Sequence, residues 1–396
     1  MAKPLQMPYT DIAIVAPTTV KYERYSNRSA HWFLAAALRQ LLVKAGIEKA
    51  RVDGLCVSSF QLAPDTAVGL TQHLGVSPRW LDHIPMGGAS GVIGLRRAAR
   101  AVQSGDASIV ACISGDTNHT DTFQKLLGSF SQFAQDGVYP YGAGGPNSSF
   151  AFLTEYYMRE YGATREDFGK LCVAQRTNAL ANPNALLNKP LSIEDYMNAR
   201  AIADPIHLYD CVMPCAGGEG FLVMRREEAE RLGLAYATVL STIERHNAYP
   251  EDPIQMTGGW AMDVDELYQA ADKSPDDVDF LCTYDDYPVI NVMQFEDLGF
   301  CAKGEGAEFV RSHSFTWDGD FPVNTSGGQL SVGQAGAAGG YLGMVEALGQ
   351  LTGEPCGHEV GGAEVGLVSG FGMINYDRGI CTAAALLGRG TPHDND

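Results

Sequence analysis

Positive charge is scarce in this sequence. Its 396 residues hold 28 lysines and arginines against 47 aspartates and glutamates, a formal net charge of −19. That balance excludes a broad basic face for nucleic acid, so an anionic ligand would have to be met by a local patch. Long apolar runs are missing as well. No stretch reaches the roughly 18 apolar residues that span a bilayer, and no membrane contact is expected. The opening Met1-Ala2-Lys3-Pro4 lacks the apolar stretch of a leader peptide, so a cytoplasmic location is expected. Metal-ligand spacing is absent too. The nine cysteines are odd in number and scattered, which reads as reduced thiols. Cys211 and Cys215 stand beside a glycine-rich turn, but no second Cys or His pair follows, so buried thiols are expected there and no metal. His119 and His313 are lone histidines in polar loops, and Arg96, Arg97 and Arg100 read as the wet face of one helix.

Glycine, by contrast, is abundant, with 45 residues gathered at a few places. Clusters of that kind mark tight turns and close backbone approaches. The chain is long enough for two core-forming units. In the N-terminal part the pattern predicts a strand at Asp11 to Ala16, a helix at His31 to Ala45 stopped by Gly46, and a strand at Val52 to Ser58. A helix at Gly91 to Val102 and a strand from Ala107 to Ile113, running into Ser114-Gly115-Asp116, follow. The C-terminal part repeats this order: a helix at Val264 to Ala271, a strand at Val278 to Thr283, a helix at Gly339 to Leu351, and strands at Glu364 to Val368 and Cys381 to Leu387. Val52-Asp53-Gly54-Leu55-Cys56 resembles Val278-Asp279-Phe280-Leu281-Cys282, and a glycine-rich turn opens a helix in each half. Duplicated βαβ units predict an α/β protein with two similar sheets and helices between and outside them. Residues 1–117 with 205–240 form the expected first half and 241–396 the second. Residues 118–204 form an insertion, with a helix at Glu166 to Ala181 and the character of a lid.

Three stretches carry groups suited to chemistry. Met86-Gly87-Gly88-Ala89-Ser90-Gly91 enters a helix, where backbone N–H groups can face a developing oxyanion. Pro322-Val323-Asn324-Thr325-Ser326-Gly327-Gly328 is followed closely by Gly333-Gln334-Ala335-Gly336, and Asn324 and Ser326 are candidates to hold a carbonyl or water. Thr283-Tyr284-Asp285-Asp286-Tyr287-Pro288 places two carboxylates and two phenols at a strand end, a set that can move protons if the pKa values are shifted.

Together these pieces resemble the thiolase superfamily, and within it the sterol-carrier-protein-X type. The most specific stretches are Phe295-Glu296-Asp297-Leu298-Gly299-Phe300-Cys301 through Gly304-Glu305-Gly306, the Pro322 to Gly328 turn, Asn182-Pro183-Asn184-Ala185 and Ala203-Asp204-Pro205. The resemblance implies a duplicated thiolase fold with five α-β-α-β-α layers, a homodimeric core and acyl-CoA ligands. Its catalytic positions depart from the pattern. Gly88 stands where the family has its nucleophilic cysteine, and Gly333-Gln334-Ala335 replaces a Gly-His-Pro turn. Ser369-Gly370 falls where a late catalytic cysteine or His-Asn would be, and Tyr284-Asp285 replaces a His-Asp pair. Without a thiolate, acyl transfer loses its covalent step.

A branch that also lacks the cysteine, the steroid side-chain aldolases, splits β-hydroxyacyl-CoA esters with a small OB-fold/zinc-ribbon partner. The resemblance to it implies retro-aldol cleavage. Tyr284 is then the base, Asp285 its orienting group, and Tyr341 a candidate acid. Gly88, Ser90, Asn324, Ser326, Gln334 and Gly336 are the substrate and oxyanion candidates. A coenzyme A thioester is the substrate, no cofactor is tightly bound, and the small subunit completes a heterotetramer. Thiolase-type acyl transfer using another cysteine, and acyl-CoA or lipid binding without turnover, are the alternatives. The loop Tyr139 to Pro146 and Phe150 are expected to shape the acyl pocket.

Overall fold

A computed structural model of the chain describes residues 6–62, 65–119, 139–142, 145–375 and 378–391. Most of the loop expected to shape the acyl pocket is among them, but Ala143 and Gly144 lie outside, as do residues 120–138 of the insertion. The strands are β1 (Ile12–Glu23), β2 (Gly54–Ser58), β3 (Trp80–His83), β4 (Ile109–Asp116), β5 (Ala201–Ala203), β6 (Ile206–His207), β7 (Ala216–Arg225), β8 (Tyr236–His246), β9 (Phe280–Cys282), β10 (Val365–Asn375) and β11 (Arg378–Arg389). The helices that position the site are α1 (Ala30–Ala45), α2 (Ala67–Leu74), α3 (Ser90–Ser104), α4 (Pro146–Tyr161), α5 (Arg165–Ala179), α6 (Trp260–Ala271), α7 (Pro288–Asp297), α8 (Gly328–Val332) and α9 (Gly339–Thr352).

Nine strands join in the order β3-β2-β4-β7-β1-β8-β11-β10-β9. The two halves meet where β1 pairs with β8 over only Ala13 to Val15. Side chains sort into layers around them. Phe33, Leu34, Leu38 and Leu41 of α1 pack with Leu55, Val57 and Ile113 on the outer face of the first half. Ile93 and Val102 of α3 and Met344 and Leu348 of α9 share one core with Val110, Val223, Ala383 and Leu387, so these helices lie between the half-sheets. Leu267 of α6, Phe295 of α7, Tyr157 of α4 and Phe168 of α5 cover the outer face of the second half with Ile243 and Leu281. The sequence is thus helices, sheet, helices, sheet, helices, the five layers of a duplicated thiolase fold. Each large apolar side chain buried this way contributes about 1.5–3 kcal/mol.

Local rules set several boundaries. Ser29 caps α1 by accepting from the Trp32 N–H at 3.3 Å, and Gly46 ends it in the left-handed conformation at φ 63°. β1 runs past the expected Ala16 to Glu23. Thr18, Thr19 and Lys21 break its apolar run, yet the backbone keeps pairing with β7 across an irregular register. The division expected at residue 240 falls inside β8, which pairs with β11 from Ala237 to His246. The described part of the insertion packs many of its apolar side chains, Phe150, Tyr157, Phe168 and Leu171 among them, into the core of the second half. It also holds that half's turns. Asn178 Nδ2 on α5 donates to the carbonyls of Val323 (3.0 Å) and Phe315 (3.2 Å), and Asn182 Nδ2 donates to that of Ser326 (3.0 Å).

Candidate active site

The glycine-rich entries to α3 and α9 meet end to end. A Cβ on Gly91 would lie 2.2 Å from the Gly340 carbonyl oxygen, and one on Gly340 would lie 2.4 Å from that of Gly87. Only glycine lets the two backbones approach so closely. Beside this crossing, a cavity of about 320 Å³ is bounded by Gly87, Gly88, Tyr284, Asp286, Gln334 and Gly336 at one end. Its remaining wall is mostly apolar, with Phe150, Tyr287 and Phe371 among its side chains.

Gly88 is the pivot. A Cβ there would sit 2.1 Å from Cε2 and 2.2 Å from Cζ of Tyr284, and 2.3 Å from the Phe371 carbonyl oxygen. The Tyr284 ring therefore occupies the space that a side chain at position 88 would need. The backbone of Tyr284 is fixed from both sides by one amide: Gln294 Nε2 donates to its carbonyl at 2.8 Å, and Gln294 Oε1 accepts from its N–H at 3.2 Å. Ser369 Oγ in turn donates to Gln294 Oε1 at 2.5 Å, so this strand-end serine braces the brace.

The two neighbouring acids do different things. Asp285 points away from the cavity and accepts from the Gln329 N–H (2.9 Å) and the Leu330 N–H (3.2 Å), holding the N-terminal end of α8. Burial pushes its carboxyl up to about 6. Asp286 instead lines the cavity. Burial, with the Asp285 charge beside it, pushes its carboxyl up to about 8 against a hydrogen bond with Tyr284 that pulls it down. Gln334 Nε2 donates to Asp286 and, at 3.0 Å, to the Tyr284 hydroxyl. The peptide of Gln334 is pinned by a bridge to the 213–215 segment, its N–H donating to the Met213 carbonyl at 2.8 Å.

The Tyr284 phenol is pushed well above its ordinary range by burial and by the Asp286 charge. The shift favours the protonated phenol, whose hydroxyl also accepts from Gln334 Nε2. Asp286, not Asp285, is the carboxyl beside the Tyr284 hydroxyl in the cavity. Asp285, the acid expected at the site, and Asp286 differ by one position where the chain turns from β9 toward α7, and local sequence does not set which of the two faces the cavity.

Other expected site residues separate. Gly336 borders the cavity, and its lack of a side chain is needed because a Cβ would lie 2.2 Å from Asp116 Oδ2. Asp116 is a buried clamp between the two halves, accepting from Ser59 Oγ (2.6 Å), Phe60 N (3.1 Å) and Ala337 N (2.8 Å). Asn324 and Ser326 lie in a narrow recess behind Tyr284, and Asn324 Nδ2 donates to Thr283 Oγ1 at 2.9 Å. Ser90 is turned inward. Its hydroxyl donates to the Ile84 carbonyl (2.9 Å) and accepts from the Met86 N–H (3.0 Å), so it shapes the turn and is no substrate ligand. Tyr341 is fully buried between the half-sheets, beside Phe221 and within 3.3 Å of Ser58 Oγ. Tyr341, expected as a candidate acid, is not among the residues lining the cavity, and its hydroxyl reaches toward Gly94 of α3.

Among the described residues, no group of His, Cys, Asp and Glu is arranged to hold a metal ion, and no helix is long and apolar enough to cross a membrane. One cysteine, Cys211, lines the cavity, where burial and Asp210 push its thiol up to about 12. A thiol so shifted is a poor nucleophile at neutral pH.

Comparison with known proteins agrees with this architecture. The family described as Thiolase C-terminal domain-like matches residues 243–382. The chain is 30% identical to a steroid side-chain-cleaving aldolase of Thermomonospora curvata, over 80% of this chain and 85% of that protein. It is 29% identical to a 17-hydroxy-3-oxo-4-pregnene-20-carboxyl-CoA lyase of Mycobacterium tuberculosis, over 91% of this chain and 96% of that one. Among solved structures it is similar to an Ltp2-ChsH2(DUF35) aldolase, with a TM-score of 0.81 and 26% identity, covering 97% of this chain and 99% of that one.

Proposed function

The chain belongs to the thiolase superfamily, and from that premise we propose that it cleaves a carbon–carbon bond in a β-hydroxyacyl-CoA thioester by a retro-aldol step. The observation that carries this reading is the Tyr284 ring in the volume of a side chain at position 88, with Asp286 and Gln334 in hydrogen-bonding reach of its cavity-facing end. No acyl-enzyme can form at a glycine, and retro-aldol cleavage needs none.

The β-hydroxyl of the substrate loses its proton to Asp286, through the Tyr284 hydroxyl, which passes its own proton on as it receives the substrate's. The O–H electrons form the new carbonyl as the Cα–Cβ bond breaks, and the electron pair of that bond becomes the thioester enolate. The carbonyl fragment departs, and the enolate is protonated at Cα. An acceptor near 8 is matched to this work, since a proton-transfer group functions best with its pKa close to the working pH. Gln334 Nε2 and the backbone N–H groups around Gly88 are the donors nearest to the site of developing negative charge.

The substrate is a coenzyme A thioester in this reading, in line with the carboxyl-CoA lyase to which the chain is similar. The aldolase of known structure carries the further expectation of a small DUF35-type subunit, an OB fold with a zinc ribbon, on a homodimeric core of this chain. The test is release of a ketone or aldehyde from a β-hydroxyacyl-CoA by the purified chain, alone and with such a subunit. Tyr284→Phe is expected to lower that turnover by about 10²–10⁴-fold, the range for a lost proton-transfer group. Full activity in that variant overturns the assignment, and acylation of a cysteine by a β-ketoacyl-CoA would favour thiolase chemistry instead.

A further inference from the structure

The cavity groups that share hydrogen bonds are held by different halves of the molecule. Tyr284 and Asp286 follow β9 and rest on the second half. Gln334 lies in the turn between α8 and α9, also second-half sequence, yet that turn is tied to the first half. Its N–H donates to the Met213 carbonyl (2.8 Å) and its carbonyl accepts from the Cys215 N–H (2.9 Å), just ahead of β7. Three residues on, the Ala337 N–H donates to Asp116 Oδ2 (2.8 Å) at the end of β4. β4 and β7 are neighbours there, with Asp116 paired to Gly217. Between the two ties stands Gly336, at φ 56° and bordering the cavity, a residue that gives the turn little stiffness of its own.

Asp116 is buried, and every hydrogen bond named for it is accepted from a donor. Oδ1 accepts from the Ser59 hydroxyl (2.6 Å), the Phe60 N–H (3.1 Å) and the Gln61 N–H (3.2 Å), and Oδ2 from the Phe60 N–H (3.1 Å) and the Ala337 N–H. Burial pushes its carboxyl up to about 6 against those donors, which leaves it ionised at neutral pH. The 59–61 loop is held a second time, because Gln61 Nε2 donates to the Thr117 carbonyl (2.7 Å) and Gln61 Oε1 accepts from the Thr117 N–H (3.2 Å). The bond to Ala337 is the one that crosses to the second half.

We infer that Asp116 is a positioning residue for the reaction: through the Ala337 N–H it fixes the turn from which Gln334 reaches Tyr284 and Asp286. The inference rests on the cleavage reading for what Gln334 does, but not for what Asp116 holds. Asp116→Asn cuts this bond selectively. With the amide oxygen kept toward the three donors of Oδ1, Nδ2 faces the Ala337 N–H, donor against donor. Freed at that end, the turn pivots at Gly336, and a shift of about 1 Å in a group that must meet the reacting atoms costs up to about 10²-fold in rate.

The test compares two variants that each lose a hydrogen bond at the same carboxylate. Asp116→Asn loses the one to the second half, and Ser59→Ala loses one within the first. Turnover is read with a panel of β-hydroxyacyl-CoA esters carrying alkyl, aryl and steroid ends, with and without a DUF35-type subunit. Kd is read by calorimetry with the matching saturated acyl-CoA esters, and backbone exchange by hydrogen–deuterium mass spectrometry. Asp116→Asn is expected to lower kcat by about 10–100-fold while Kd stays within about threefold of the wild type. It should also speed exchange over residues 334–338 by about tenfold or more. Ser59→Ala is expected to keep kcat within about twofold and to leave exchange at 334–338 unchanged. Should Asp116→Asn not fold, an ester in place of the Ala337 amide removes the same N–H from the other end, and the same loss in kcat is expected. Equal falls in kcat in Asp116→Asn and Ser59→Ala, or full activity without the Ala337 bond, overturn the positioning role and leave cleavage standing. If the wild type cleaves none of the panel, the cleavage reading fails; faster exchange at 334–338 in Asp116→Asn alone still upholds the hold of Asp116 on the turn, and unchanged exchange there overturns it.

Discussion

Restoring the family nucleophile would not restore its chemistry. In Gly88→Cys the new Cβ starts 2.1 Å from a Tyr284 ring carbon and 2.3 Å from the Phe371 carbonyl oxygen, where ordinary contacts are about 3.5–4.0 Å. Neither neighbour yields easily. Phe371 lies inside β10, paired with Thr382 of β11, and Tyr284 is held at both its N–H and its carbonyl by Gln294. Overpacking typically costs about 1–3 kcal/mol, and with two fixed neighbours the upper end is expected, a fall in Tm of about 3–4 °C for a chain of this length. A ring displaced by about 1 Å also loses about 10²-fold in rate. The aldolase activity should therefore fall by that much, while no thiolase activity appears and no acyl group is found at position 88 by mass spectrometry. Adding Tyr284→Ala removes one of the two clashes, so calorimetry on the double variant should recover part of the lost stability as a coupling of about 0.5–3 kcal/mol. A Gly88→Cys protein that melts with the wild type, keeps its aldolase activity and is acylated by a β-ketoacyl-CoA would refute the reasoning.

The remaining predictions concern Asp286 and Tyr341. With its carboxyl pushed up to about 8, Asp286 accepts protons only as pH rises, so kcat/KM should climb about tenfold per unit below pH 8 and level off above it. Asp286→Asn should abolish that climb along with most of the activity, and a persistent climb in the variant would assign the titration to another group. The same shift has a stability consequence of definite sign. The folded state keeps a proton that the unfolded chain releases near 3.9, so this contribution is complete below about pH 4 and is lost as pH rises through 8. Asp286→Asn should accordingly gain on the wild type in Tm above pH 8. Tyr341→Phe removes one 3.3 Å contact with Ser58. It should cost no more than about 1 kcal/mol and leave kcat unchanged, whereas a loss beyond tenfold would return Tyr341 to the reaction.

What could be read in the sequence was what local chemistry dictates. The stop of α1 at Gly46, the opening of both middle helices in glycine, and the repeated Val-Asp-x-Leu-Cys at β2 and β9 follow from short-range rules and were legible. β7 and β8 were not assigned from periodicity. β7 is buried on both faces and carries Gly217, Gly218, Glu219 and Gly220, a composition that reads as a turn, and it is a strand because β1 and β4 pair with it along either edge. The placing of Tyr341 depends on tertiary packing for a related reason. One helical position decides whether a residue of α9 faces the cavity or the opposite helix, and only the crossing of α3 with α9 sets that choice. The acids of the Tyr284 turn pose the same problem at higher resolution. Consecutive residues point in different directions, and which one meets α8 and which the cavity depends on where residues 328–330 come to lie.

The glycines of the Met86 to Gly91 turn look alike in sequence and are glycines for different reasons. Gly91 is pressed against a backbone oxygen of the facing helix, as Gly340 is in return. Those contacts belong to the scaffold, and any chain that crosses its two middle helices at this distance needs them. Gly88 is pressed chiefly against a side chain, the ring of Tyr284. That contact belongs to the chemistry, since a small residue at position 284 would free part of the same space. Positions 88 and 284 are therefore coupled: side chains at the two compete for part of one volume, while the Phe371 carbonyl oxygen presses on position 88 in either case. It follows that the two positions must be exchanged together, with Gln334 and Asp286, before one activity can be converted into the other.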